Sequence, residues 1–96
     1  MKLGNKALKL EYRKFRAEKH YSVGYEAEND RYILAVIVTW VAWYNRYYSI
    51  SEDEYNFFET DISKLDLLAD ECYIAGITHE RFLCSEAERD YHIKIQ

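Results

Sequence analysis

From Tyr21 onward the chain carries a two-residue period that leaves little choice of local structure. Tyr21, Val23, Tyr25 and Ala27 alternate with Ser22, Gly24, Glu26 and Glu28, and Asn29-Asp30 then interrupts the run. A second stretch starts at Arg31 and is apolar at both parities, with Tyr32, Leu34, Val36, Val38 and Trp40 on one side and Ile33, Ala35, Ile37, Thr39, Val41 and Trp43 on the other. Period two is the strand signature, and asparagine and aspartate tolerate the positive φ of a tight turn. The reading is a β-hairpin, about 20–28 and 31–48, whose second strand needs cover on both faces. A 96-residue chain has few helices to supply it. One face is therefore expected to meet another molecule, a second copy or a partner.

The same stretch bears on location. Its longest apolar run, Ile33 to Tyr44, falls well short of the ~20 residues that a membrane-spanning helix needs. Met1 to Lys19 is rich in lysine and arginine and lacks the apolar segment of a signal peptide. Two cysteines, Cys72 and Cys84, are too few for a disulfide scaffold. A reduced cytoplasmic protein of one domain, 1–96, is expected.

Helices are expected on either side of the hairpin. Lys6 to Lys19 holds strong helix formers, Asn5 can cap it, and Leu8, Tyr12 and Phe15 recur at i, i+4, i+7. Leu8, Leu10 and Tyr12 also alternate as a strand would, but the alternation stops at Lys14, so the spacing favours a helix. Ser51 and Glu54 fit a capping box that starts a short helix over about 52–59. Asp61 is placed to cap a second helix, about 62–75, closed by Gly76. On that helix Ile62, Leu65, Leu68, Ala69 and Cys72 share one face, while Leu67 and Ile74 stand among Ser63, Asp66 and Asp70 on the other. Beyond it, Arg81 to Cys84 reads as a short strand. Ser85 to Glu88 offers another capping box, and Tyr91, Ile93 and Ile95 alternate as an edge strand would. The fold class is α+β, a small antiparallel sheet with an N-terminal helix and two acidic helices.

The net charge of -4 conceals a polarised chain. Residues 1–20 hold seven basic against two acidic residues, a net +5, and residues 51–90 hold twelve acidic against three basic, a net -9. The basic segment can lie across the acidic half, or the acidic half can steer toward a basic partner. Exposed internal pairs stabilise little, which favours the external use.

Chemistry has thin support in the sequence. Cys72, His79, Cys84 and His92 are spaced by seven, five and eight positions, and none of these gaps matches the paired ligands of a structural zinc site. No metal or other cofactor is expected. No cysteine or serine has both a base and an orienting group nearby, and no glycine-rich phosphate loop occurs. His79-Glu80 with Asp61 or Asp70 could build a small metal-dependent hydrolase, although such residues equally serve as caps and surface charges. Trp40, Trp43, Tyr44, Arg46, Tyr47 and Tyr48 interleave aromatics with a base as a nucleic-acid stacking platform would. Only Arg46 is positive between Ala35 and Asp61, so the electrostatic part of such a site is missing and no nucleic acid or membrane partner is expected.

Protein binding uses more of these features at once. Ten tyrosines and two tryptophans exceed what one small core needs, and such side chains anchor interfaces. Tyr44, Tyr47 and Tyr48 lead into Glu52 and Asp53, with Glu59, Asp61, Asp66 and Asp70 beyond, and these nine residues are the candidate partner surface. In layout, residues 30–84 resemble bacterial immunity proteins of the polymorphic-toxin and contact-dependent growth-inhibition type. The resemblance rests on Arg31-Tyr32-Ile33-Leu34 through Tyr47-Tyr48-Ser49-Ile50-Ser51, the two acidic helices and Arg81-Phe82-Leu83-Cys84. It implies an inhibitor that occludes a cognate toxin, often a basic nuclease, and carries over no residue role. A homodimeric ligand-binding or regulatory domain, with the two-sided strand as its seam, is the alternative from another class.

Overall fold

The structure, a computed structural model, describes residues 7–39, 42–87 and 90. Five strands, β1 (Glu11–Arg16), β2 (Tyr21–Glu26), β3 (Arg31–Thr39), β4 (Trp43–Ile50) and β5 (Phe82–Ser85), form one antiparallel sheet in the order β1-β2-β3-β4-β5. Two helices, α1 (Glu52–Thr60) and α2 (Ile62–Ala75), lie between β4 and β5. The α+β class expected from the sequence is the class observed.

The N-terminal helix is not. Glu11–Arg16 is an edge strand paired with β2, and Ala17–Lys19 is a single 3-10 turn. Helix propensity over so few residues is a weak preference that tertiary pairing overrides. Here β1 covers the edge of β2, whose Tyr21, Ser22 and Val23 are buried, and it sends Lys14 and Arg16 toward the acidic helices. One extra residue sits in β1 between Glu11 and Lys14, where Tyr12 adopts φ 52. The bulge bends the strand. The Tyr12 carbonyl accepts a 2.6 Å hydrogen bond from the Tyr55 hydroxyl, which ties the bend to α1.

The hairpin at Asn29-Asp30 forms as read, with Asp30 at φ 51 and the buried Glu26 carboxylate paired to Arg31 across its base. Its second arm is not one strand over 31–48 but two, β3 and β4, in register from Tyr32↔Ile50 to Thr39↔Trp43. The sequence between Thr39 and Trp43 holds no glycine, proline or asparagine, so no turn residue marked the change of strand. The correction also disposes of the open face. β3 is central, and Leu34 and Val36 pack under the helices while Ile33 and Ala35 are buried on the opposite side.

The main core lies between the sheet and the helices. Tyr21, Val23, Leu34, Val36, Tyr48 and Ile50 meet Tyr55, Leu65, Ala69 and Cys72 there. On the other face a smaller cluster of Ile33, Ala35, Tyr47 and Cys84 is covered by Leu8, Leu10 and Leu83. Residues 10 and 11 cross that face so closely that a Cβ at Gly24 would lie 2.9 Å from the Leu10 Cβ.

The Ser51–Glu54 capping box is complete and starts α1 where the sequence places it. Asp61 occupies the N-cap position of α2, but its carboxylate accepts from the Ser63 hydroxyl at 2.8 Å and bonds no backbone N–H. Gly76 closes α2 at φ 62, where Arg46 approaches so closely that a Cβ would lie 3.1 Å from Nη1. Phe82–Ser85 pairs with β4 as the short strand expected at Arg81 to Cys84. The expected edge strand over Tyr91 to Ile95, the Glu88 end of the second capping box, and His92 lie outside the described residues.

Candidate interaction surface

The nine residues chosen from the sequence separate into three groups. Tyr47 and Tyr48 are 1% and 0% exposed, on opposite faces of β4, and are core residues rather than surface anchors. The Tyr48 hydroxyl lies 3.1 Å from the carbonyl oxygens of both Cys72 and Gly76, and the Tyr47 hydroxyl donates to Glu86. Tyr44 is half-buried, with its hydroxyl 3.3 Å from Arg46. Arg46 itself is held by Asp90, with Nε to Oδ2 at 2.9 Å and Nη2 to Oδ1 at 2.8 Å. The aromatic and basic residues of 43–48 therefore do not assemble into one stacking surface. Trp43 is exposed against His20, and Trp40 lies outside the described residues.

The second group is acids matched by the basic N-terminal segment. Lys14 reaches Glu59 at 2.6 Å and lies over the Tyr55 ring. Arg16 grips Asp66 with two bonds, at 3.2 and 3.0 Å, and the Tyr21 hydroxyl donates to the same carboxylate at 2.6 Å. The Arg16 guanidinium, aided by Tyr21 and opposed by partial burial, holds the Asp66 carboxyl below the usual carboxylate range. Burial drives the Tyr21 phenol upward, and the adjacent carboxylate adds to the shift. Farther along, Arg81 clamps Glu54 with two 2.8 Å bonds, which together with the Ser51 N–H outweigh burial and lower the Glu54 carboxyl. The polarised charge of the chain is thus used internally in part, through β1.

The third group is outward. Glu52 and Asp53 are exposed in the first turn of α1, where they suit the positive helix end. Asp61 is half-buried and pairs only loosely with Lys64, at 3.7 Å. Asp70 is exposed and forms no hydrogen bond or ion pair with the described residues. These acids are not one patch. Glu52 follows Ile50, whereas Asp70 stands near Thr39 at the Tyr44 end of β4, and the six residue steps from Tyr44 to Ile50 span about 20 Å.

Around Asp70 the surface carries exposed apolar side chains, as it also does at Tyr12, Phe15 and Trp43. Leu65, Ala69 and Cys72 turn inward from α2, and Leu67, Asp70, Glu71 and Ile74 follow the i, i+3, i+4, i+7 spacing of its outward face. Leu67 is 67% exposed, Ile74 84%, and the neighbouring Tyr73 52%. Burying a leucine or isoleucine is worth roughly 1.5–3 kcal/mol, which this face forgoes twice within two turns. Glu71 lies 3.5 Å from the His79 imidazole. Leu67 and Ile74 were legible as apolar positions among acids, while Tyr73 escaped notice because it stands at the border of the inward stripe. Between α2 and the 17–20 turn opens a cleft of about 360 Å³ with Asp70 and Tyr73 on its rim.

The described residues weighed for metal chemistry do not converge. His79 accepts the Arg81 N–H through Nδ1 at 3.1 Å and turns Nε2 to Glu71, and Cys72 and Cys84 are buried free thiols in different clusters. Among the described residues no three of histidine, cysteine, aspartate and glutamate are grouped to hold a metal ion. Among them, too, no helix is long and apolar enough to cross a membrane. No protein-family model, curated protein or solved structure matches the chain.

Proposed function

We propose that this protein is a binding module that inhibits a basic protein partner by occlusion, in the manner of the toxin-immunity proteins it resembles in layout. The observation that carries the reading is the outward face of α2, where Leu67, Tyr73 and Ile74 stand bare beside Asp70, which is unpaired among the described residues. Large apolar side chains give an interface its affinity, and unpaired acids choose a partner of opposite charge and speed the encounter. Among the described basic side chains, Lys14, Arg16, Arg46 and Arg81 each hold an acid, which leaves them less able to draw a nucleic acid.

An immunity gene should adjoin the gene of its toxin, so the product of the neighbouring gene is the partner to test. Co-expression is expected to yield a complex with a dissociation constant of about micromolar or tighter that weakens with salt. A neighbouring product that neither copurifies nor loses its toxicity in the presence of this protein contradicts the reading.

A further inference from the structure

The cleft beside Asp70 has a shape and lining that point to one kind of side chain. Its floor is aliphatic, formed by Val36, Ile37 and Ala69, and its rim carries Asp70 and Tyr73 from α2. At about 360 Å³ it is at the small end of ligand-sized pockets, enough for one long side chain entering from outside. Charge narrows the choice. Of the acids on α2, Asp66 is spent on Arg16 and Tyr21, and Glu71 lies beside His79, so among the described residues Asp70 is the α2 carboxylate left open. Glu18, on the opposite lip, uses Oε2 to meet Arg16 and stays largely solvent-exposed. A carboxylate next to a half-exposed tyrosine ring above an aliphatic floor suits a guanidinium on a methylene stem, which combines a charge-assisted hydrogen bond, ring stacking and burial of the stem.

We infer that this cleft receives an arginine side chain of the basic partner, anchored by Asp70 and stacked on Tyr73. The inference rests on the proposed function and specifies which part of the partner is read. Lys19 also lines the cleft and opposes a second cation, so it tunes the site against weakly basic surfaces.

The test uses the full chain, labelled with 15N, and two small probes, N-acetyl-arginine methylamide and its neutral isostere N-acetyl-citrulline methylamide. The arginine probe is expected to shift the amides of residues 18–20, 36–39 and 69–73 with millimolar affinity, and citrulline is not. Asp70→Asn should weaken the arginine probe about fivefold, as expected for loss of an exposed ion pair, and Lys19→Ala should strengthen it about twofold. Equal shifts from both probes, or an arginine affinity unmoved by Asp70→Asn, overturn the inference. A partner that binds the Asp70→Asn protein as tightly as the native one also overturns it while leaving the proposed function in place.

Discussion

Asp66 and Asp70 stand one turn apart on α2 and look alike in the sequence, yet they belong to different parts of the molecule. Asp66 faces the first two strands, where Arg16 of β1 and Tyr21 of β2 supply three hydrogen bonds. Asp70 forms no hydrogen bond or ion pair with the described residues. The apolar residues divide in the same way. Leu65 is 0% exposed, and Leu67, two positions on, is 67% exposed. One edge of the helix is therefore consumed by the fold, and the other is held out to solvent with the chemistry of an interface. Charge in this chain cannot be read as function until the charges that the fold itself uses have been subtracted.

The largest way to test that division is to cut into the inner face. Leu65→Ala should cost about 2–5 kcal/mol, because it opens a cavity where nothing can collapse. For a domain of this size that corresponds to a fall of about 10 °C or more in the thermal midpoint, read by calorimetry or circular dichroism. Leu67→Ala, one helix face away, should stay within about 0.5 kcal/mol of the native protein.

Asp66→Asn comes next. It should lower the midpoint by a few degrees at neutral pH, since Arg16 loses its charged partner and one of the two acceptor oxygens becomes a donor. The pH dependence has a definite sign. The folded carboxyl titrates below its unfolded value of about 3.9, so its stabilisation is fully present above that pH and is lost as pH falls through the folded value. Denaturant curves of native and Asp66→Asn proteins should accordingly draw together below about pH 4. A gap that stays constant into acid would assign the effect to packing instead.

A smaller effect probes how dry the inner face is. Burial pushes the Cys72 thiol up to about 12, and Cys84 is buried on the other side of the sheet. Neither should react with a thiol reagent at neutral pH until denaturant is added. The smallest expected change is in the stability of Asp70→Asn, which should not move beyond about 0.5 kcal/mol.

The same division explains what the sequence disclosed and what it withheld. The hairpin at Asn29-Asp30, the capping box at Ser51, the inward stripe of α2 and the helix stop at Gly76 were legible because each rests on local chemistry of a few neighbouring residues. The strand at Glu11–Arg16 was not, because its reason lies about 50 positions away, in the acids that Lys14 and Arg16 reach. The division between β3 and β4 was hidden by the lack of a turn residue between Thr39 and Trp43, and joining the two made one over-long strand with an apparently open face. The candidate surface failed in its aromatic half for a related reason. Tyr47 and Tyr48 pack into two separate cores on opposite faces of the sheet, and residue type alone does not distinguish an anchor from a core side chain. Its acidic half divides between Glu59 and Asp66, which the fold pairs with Lys14 and Arg16, and Asp70, which no base claims among the described residues.

The central claim is that the outward face of α2 is the partner-binding surface. The most direct measurement is the affinity of the double variant Leu67→Ser/Ile74→Ser for the product of the neighbouring gene, by isothermal titration calorimetry, alongside its thermal midpoint. The account predicts an unchanged midpoint with affinity weakened at least about tenfold, the loss expected when two apolar contacts leave an interface. An affinity within about twofold of native, for a variant that folds normally, would contradict it.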